Sequence, residues 1–234
     1  MIDNFQPQDT HARHVLYYSP GACSLAPHIL LEEIGVPFEA RQVNIAEFEH
    51  HRPDYRAINP RMRLPALSIS GTIVTEVPAL LYYIASLRPD ANLLPASGTV
   101  DLAKCGEFVA FLSSTVHVTY AQFRRPERFL PPDFALGDAI IEQGRKNSIG
   151  LYHEIESQLP EEGWALGSQY SIVDAYLLPF YLWAPRLGLS MPRDFPRWTR
   201  LVSRILERPP VIRAVQREEI EHLVETACRE DRAD

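Results

Sequence analysis

Lysine is nearly missing from this chain of 234 residues: Lys104 and Lys146 are the only two, and arginine supplies the rest of the positive charge. A site that holds an anion must therefore rely on arginine, histidine or backbone N–H groups. Cysteine is scarce too. Cys23, Cys105 and Cys228 are too few for a disulfide framework, which points to a reducing, cytoplasmic setting. Proline (20) outnumbers glycine (11), and no phosphate-binding glycine loop is found. The longest strongly apolar stretch, Ala175 to Ala184, contains Pro179 and falls short of the about 20 residues that a bilayer span takes. Met1 to His14 lacks the apolar core of a secretory signal. With 23 basic and 30 acidic residues the formal charge is −7. That argues against a broad nucleic-acid footprint, but not against a small anion held locally. The eight histidines form no metal-ligand spacing. The expected partner is thus a small molecule, with no metal, nucleic acid or membrane.

What is present divides in two. Residues 1–14 read as a flexible extension. Val15–Tyr18 is a strand ended by Ser19-Pro20-Gly21, and a helix follows from Ser24 to a stop at Gly35. Phe38 to Ile45 reads as a second strand, and Ala46 to Ile58 as a loop with a short helix. Ala66–Ile69 and Thr72–Thr75 flank Ser70-Gly71 as a hairpin, and Glu76 to Leu87 is helical. This mixed α/β region is taken as 15–90, with a linker at 91–99. Strand signals then vanish. Leu102, Cys105, Val109, Leu112 and Val116 step by 3 and 4 along a helix expected to run to Tyr120. A turn at Pro131-Pro132 precedes helices at Ala139–Leu159, Ser171–Pro185, Trp198–Leu206 and Val211–Val224, so residues 100–224 are all-helical, with a tail at 225–234.

Four places carry candidate chemistry. Cys23 sits where the first strand and turn give way to a helix N-terminus, which favours an anion. It reads either as a thiol of lowered pKa or as a small buried apolar residue; alanine at 26 excludes a Cys-x-x-Cys pair. Leu64-Pro65 enters the hairpin. A cis proline there would free the Leu64 backbone for an extended ligand, whereas a trans proline would simply start a strand. Glu76, opening the third helix beside Val77, could take a ligand ammonium or serve as an ordinary first-turn acid. His117 shares a face with Ala110 and Ser114 at i, i+4 and i+7, where it could meet a sulfur across a cleft or be a satisfied histidine. Separately, Ser171-Ile172-Val173-Asp174 has the form of a helix capping box.

Taken together the pieces resemble the glutathione S-transferases, most closely the bacterial beta class. The likeness is carried by Tyr18-Ser19-Pro20-Gly21-Ala22-Cys23-Ser24-Leu25-Ala26-Pro27-His28, Asn59-Pro60, Leu64-Pro65-Ala66-Leu67 and Thr75-Glu76. It continues in Thr115-Val116-His117, Phe123-Arg124-Arg125-Pro126 and Ser171-Ile172-Val173-Asp174-Ala175-Tyr176, and runs from about Val15 to Val215. The resemblance implies a thioredoxin-like N-terminal domain, an all-helical C-terminal domain, a homodimer, and glutathione as co-substrate in the cleft. Cys23 and His117 would meet the glutathione sulfur. Leu64 before a cis Pro65 would pair with the cysteinyl backbone, Glu76 and the Val77 N–H would hold the γ-glutamyl end, and Tyr18 and Ser114 would complete the site.

This chain departs from the family pattern in several places. Val77 replaces a hydroxyl or glycine, no lysine follows the second strand, Val118 replaces a lysine, and Ala110 replaces an asparagine. Arg61, Arg63 and Arg124 are the candidates to compensate. The implied function is a cytoplasmic, detoxifying transfer of the glutathione thiolate to a small electrophile. Two alternatives stand beside it: a glutathione-dependent thiol–disulfide reductase or peroxidase using Cys23, and a non-catalytic binding protein on the same fold.

Overall fold

A computed structural model describes residues 13–130 and 137–229. Most of the expected N-terminal extension, the Pro131-Pro132 turn and the last residues of the tail lie outside them. The first strand, β1 (His14–Tyr18), begins at His14 and is buried along its whole length. That explains its unbroken apolar run, because both of its faces are covered. Leu16 and Tyr18 enter the main core, while Val15 and Tyr17 join a smaller cluster with Val43, Tyr55 and Ala66.

β2 (Phe38–Gln42) lies parallel to β1. β3 (Ala66–Ile69) lies antiparallel to its other side, and β4 (Thr72–Thr75) closes the edge in the order β2-β1-β3-β4. β2 is shorter than expected, ending at Gln42. Ser70 and Gly71 both take positive φ, 49° and 87°, as the tight hairpin requires. α1 (Leu25–Ile34) ends at a left-handed Gly35, and α2 (Pro53–Ile58) and α3 (Val77–Leu87) follow. With the helices α1 and α3 packed on it, the sheet is thioredoxin-like, and the rest of the molecule is helical.

The helical part is built around α7 (Ile172–Trp183), every residue of which is buried. Its capping box forms as expected. Ser171 Oγ accepts from the Val173 N–H at 3.3 Å, and Asp174 Oδ2 accepts from the Ser171 N–H at 2.7 Å. Against it pack α4 (Val100–Phe111), α9 (Pro196–Leu206) and α11 (Glu221–Cys228). α5 (His117–Arg124) runs beside α6 (Gly137–Gln158), the short α8 (Met191–Asp194) adjoins α9, and α10 (Pro209–Arg217) lies on α1.

Two expectations need correction. The helix through Leu102–Tyr120 is interrupted by a π-turn over Leu112–Val116, in which the His117 N–H reaches back to the Leu112 carbonyl. The helix over Val211–Val224 is broken at Glu218–Ile220, where Glu219 takes φ +55°. His117 at the end of the π-turn and Glu218 at the end of α10 both belong to the site.

Candidate functional site

The Ser19-Pro20-Gly21-Ala22-Cys23 turn is the centre. Gly21 has φ +65°, and Leu223 of α11 packs against it so closely that a Cβ there would meet Leu223 Cδ1 at 2.6 Å. The Gly21 N–H donates to Glu218 Oε2 at 2.9 Å, and its carbonyl accepts from Trp183 Nε1–H at 2.8 Å. The other carboxylate oxygen of Glu218 meets His28 Nδ1 at 2.8 Å, with both side chains fully buried. The turn carrying Cys23 is thus clamped from two distant helical elements. Sequence reading missed Glu218, Trp183 and His28 as site residues. His28 stood inside the quoted run, but nothing local marks a carboxylate 190 residues away.

Cys23 is 5% exposed and donates its Sγ–H to the Leu64 carbonyl at 3.7 Å. The Leu64–Pro65 peptide is cis. The turn before it is fixed because the Arg63 carbonyl accepts from both Tyr55 Oη and Asn59 Nδ2 at 2.7 Å. Of the two readings of Cys23, the small buried residue is the one that its burial fits. Burial pushes the thiol up to about 12, and Cys23's own backbone N–H and the Arg128 charge do not offset it. The helix N-terminus loses to desolvation.

Glu76 is exposed, with φ +72°, and Arg61 reaches its Oε1 at 3.2 Å and Thr75 Oγ1 at 3.3 Å. Val77 opens α3 directly after it. His117 packs against Phe180 (ring centroids 5.9 Å apart) and Trp183 (5.3 Å). Burial lowers its pKa to about 4, and the charges of Arg128 and Arg63 add to the effect. The imidazole is therefore neutral at pH 7. The structure brings Cys23, Leu64-Pro65 and His117 into one neighbourhood, in which Arg128 acts on both Cys23 and His117. Among the described residues neither the Arg63 nor the Arg128 side chain forms an ion pair. Arg124 instead lies over the Phe123 ring at 5.9 Å.

Two expected positions are used differently. Ser114 is exposed and its hydroxyl bonds back to the Ala110 carbonyl at 2.8 Å. The π-turn carries an extra residue, about 100° of helix, which separates His117 from the Ala110–Ser114 face. Tyr18 donates to the Arg217 carbonyl at 3.4 Å, and its ring packs 5.2 Å from His28. Pleat alternation sends it to the helical core with Leu16. Among the described residues no group of three or more His, Cys, Asp or Glu could hold a metal ion.

The sequence and fold have known counterparts. Residues 14–86 match the family model of the glutathione S-transferase N-terminal domain, and residues 142–209 that of the C-terminal domain. Glutathione S-transferase GstA of Escherichia coli O157:H7 is 30% identical over 205 residues, covering 87% of this chain and 98% of its own. A solved glutathione transferase homologue from Sulfitobacter, with bound glutathione, superposes with TM-score 0.82 at 29% identity, over 88% of this chain and 98% of its own. The bacterial beta class enzyme of Sphingomonas chungbukensis gives TM-score 0.74 at 32% identity, over 87% and 98%. The two models together span more than half of the sequence, and the chain belongs to the glutathione S-transferase family.

Proposed function

We propose that the chain binds glutathione in the cleft beside Cys23 and transfers its thiolate to a small electrophile. Residues 15–90 hold glutathione and residues 100–224 present the electrophile. The Leu64 backbone pairs with the cysteinyl backbone. Glu76 and the Val77 N–H take the γ-glutamyl ammonium and carboxylate, and Arg63 and Arg128 replace the lysines that the chain lacks. The sulfur attacks an electrophilic carbon, a C–S bond forms, and the electron pair leaves on a halide or on the oxygen of an opened epoxide. Positioning and thiolate stabilisation supply the rate.

The observation that carries this reading is the placement of Cys23 against the Leu64 carbonyl ahead of a cis Pro65, on a turn bound by Trp183, which also packs against His117. A buried thiol pushed up to about 12 is a hydrogen-bond donor at neutral pH and a poor nucleophile. Next to a neutral imidazole it suits a site that stabilises another sulfur's charge. The protonated thiol weighs against the reductase reading, which needs the Cys23 thiolate. By resemblance to the family, the enzyme acts as a cytoplasmic, detoxifying homodimer; sedimentation equilibrium tests the dimer.

The test is conjugation of glutathione to a panel of aryl halides and epoxides, with Cys23→Ala alongside. Measurable conjugation by the wild type that persists within about tenfold in Cys23→Ala supports the transferase. Complete loss in Cys23→Ala, together with wild-type disulfide reduction, supports the reductase instead. Failure to retain glutathione or to conjugate it removes both readings.

A further inference from the structure

Arg61 lies on the turn between α2 and β3 and sends its guanidinium across to the end of β4. Its Nη1–H donates to Thr75 Oγ1 at 3.3 Å and to Glu76 Oε1 at 3.2 Å. One buried side chain braces the backbone beneath it. Asn59 Oδ1 accepts from the Arg61 N–H at 3.1 Å, and Asn59 Nδ2 donates to the Arg63 carbonyl at 2.7 Å. The turn that delivers Leu64 and cis Pro65 therefore delivers Arg61 as well. The Arg61 and Glu76 side chains are 66% and 65% exposed, so their ion pair adds little stability and stays open to a ligand. Among the described residues the Nε and Nη2 hydrogens of Arg61 bond to nothing, and Glu76 Oε2 accepts nothing. Glu76 also holds φ +72°, a strained value for a residue with a side chain. A weak surface pair does not account for that strain. A cation and an anion thus stand side by side where α3 begins, each with unused hydrogen-bonding capacity.

We propose that Arg61 is a specificity-determining residue that binds the α-carboxylate of the γ-glutamyl group, while Glu76 takes the ammonium on the same carbon. The inference rests on the glutathione reading above and deepens it. An α-amino acid group carries both charges on one carbon. Laid against the Arg61–Glu76 pair in the opposite sense, each of its charges meets an opposite one without the pair having to part. The guanidinium presents parallel N–H donors that match both oxygens of a carboxylate, and the ammonium has the open Glu76 Oε2. The Val77 N–H is a neutral donor on an apolar residue, so the charge-assisted bond to the carboxylate comes from Arg61. Glu76 alone would accept any amine. The arginine beside it makes the site demand a carboxylate next to that amine.

The experiment compares glutathione with γ-aminobutyryl-cysteinylglycine, which keeps the amine and lacks that carboxylate. Both are bound to the wild type, Arg61→Ala and Arg61→Lys, with dissociation constants read by calorimetry and by displacement for the weaker ligand. Arg61→Ala should weaken glutathione about tenfold and leave the analogue within about twofold of its wild-type affinity. Arg61→Lys, which keeps the charge without the fork, should recover part of the loss. In conjugation assays Arg61→Ala should raise KM for glutathione and keep kcat, as expected when ground-state binding alone is removed. Equal weakening of both ligands by Arg61→Ala overturns the inference, because the arginine then acts only by orienting Glu76. Glutathione binding as tight as in the wild type, or tighter, overturns it too, because the arginine then contributes nothing or competes with the ammonium. A wild type that does not bind glutathione overturns the underlying reading as well, and that outcome is visible before any variant is made.

Discussion

At the scale of the residue, desolvation sets the chemistry of Cys23 and His117. Both groups favour their neutral forms, so the thiol rises to about 12 and the imidazole falls to about 4. For Cys23 the consequence is slow alkylation: at pH 7 the folded protein should react with iodoacetamide far more slowly at this position than after denaturation in guanidinium, as peptide mass mapping will show. For His117 the sign runs as for any base whose folded pKa is depressed. Between about pH 4 and 6.5 the unfolded chain holds the extra proton, so stability rises with pH through that window. Asp174 does the opposite. Burial raises its pKa to about 6, so the folded state holds the extra proton between about pH 3.8 and 6 and stability falls as pH rises there. Wild type and His117→Asn should therefore diverge. Their stability difference in urea should grow by about 1 kcal/mol per pH unit from pH 4.5 to 6 and level off above pH 7. A difference independent of pH would mean that the imidazole is solvated.

At the scale of the element, legibility followed range. The hairpin, the stop of α1 at Gly35 and the Ser171 cap were readable because each is settled by a few adjacent residues. The π-turn was not, since Leu112 and Val116 keep helical spacing whether or not one residue is inserted between the two faces. The break after Arg217 was hidden too: Glu218 still closes α10 through its N–H to the Ala214 carbonyl, the chain turns at Glu219 with φ +55°, and the side chain of Glu218 meets His28 and Gly21, which lie far away in sequence. The cap has a further tertiary duty that local reading did not contain. Besides the Ser171 N–H, Asp174 accepts from the Ala165 N–H at 2.8 Å, so one buried carboxylate fixes both the start of α7 and the loop before it. Asp174→Ala leaves these buried donors unpaired and should cost about 3 kcal/mol, read as a lowered urea midpoint. Asp174→Asn, which keeps one acceptor oxygen, should cost less.

At the scale of the whole molecule, the question is how an acidic chain with two lysines distributes its arginines. Arginine is distributed by task. Arg208 binds Glu33 through Nε at 2.6 Å, and Arg213 and Arg217 bind Glu32 at 2.7 and 2.6 Å, so three arginines hold α1 to the C-terminal helices. The charges of Arg63 and Arg128 act on His117, and that of Arg128 on Cys23 as well. These outer ion pairs are partly exposed and contribute little each. The buried Glu218 differs, because its two oxygens serve Gly21 and His28 where no water can replace them. Burial raises the Glu218 pKa, and the bonds from His28 and Gly21 pull against it. Glu218→Ala removes one partner and strands the others, which should cost about 3–5 kcal/mol. It should also loosen the turn that carries Cys23. The measurement that separates the two effects is denaturant unfolding paired with alkylation at Cys23 under native conditions. A rise in Cys23 reactivity well below the unfolding midpoint would show that Glu218 holds the cysteine in its protonated, buried state. Reactivity that tracks global unfolding alone would confine Glu218 to joining the helical region to α1.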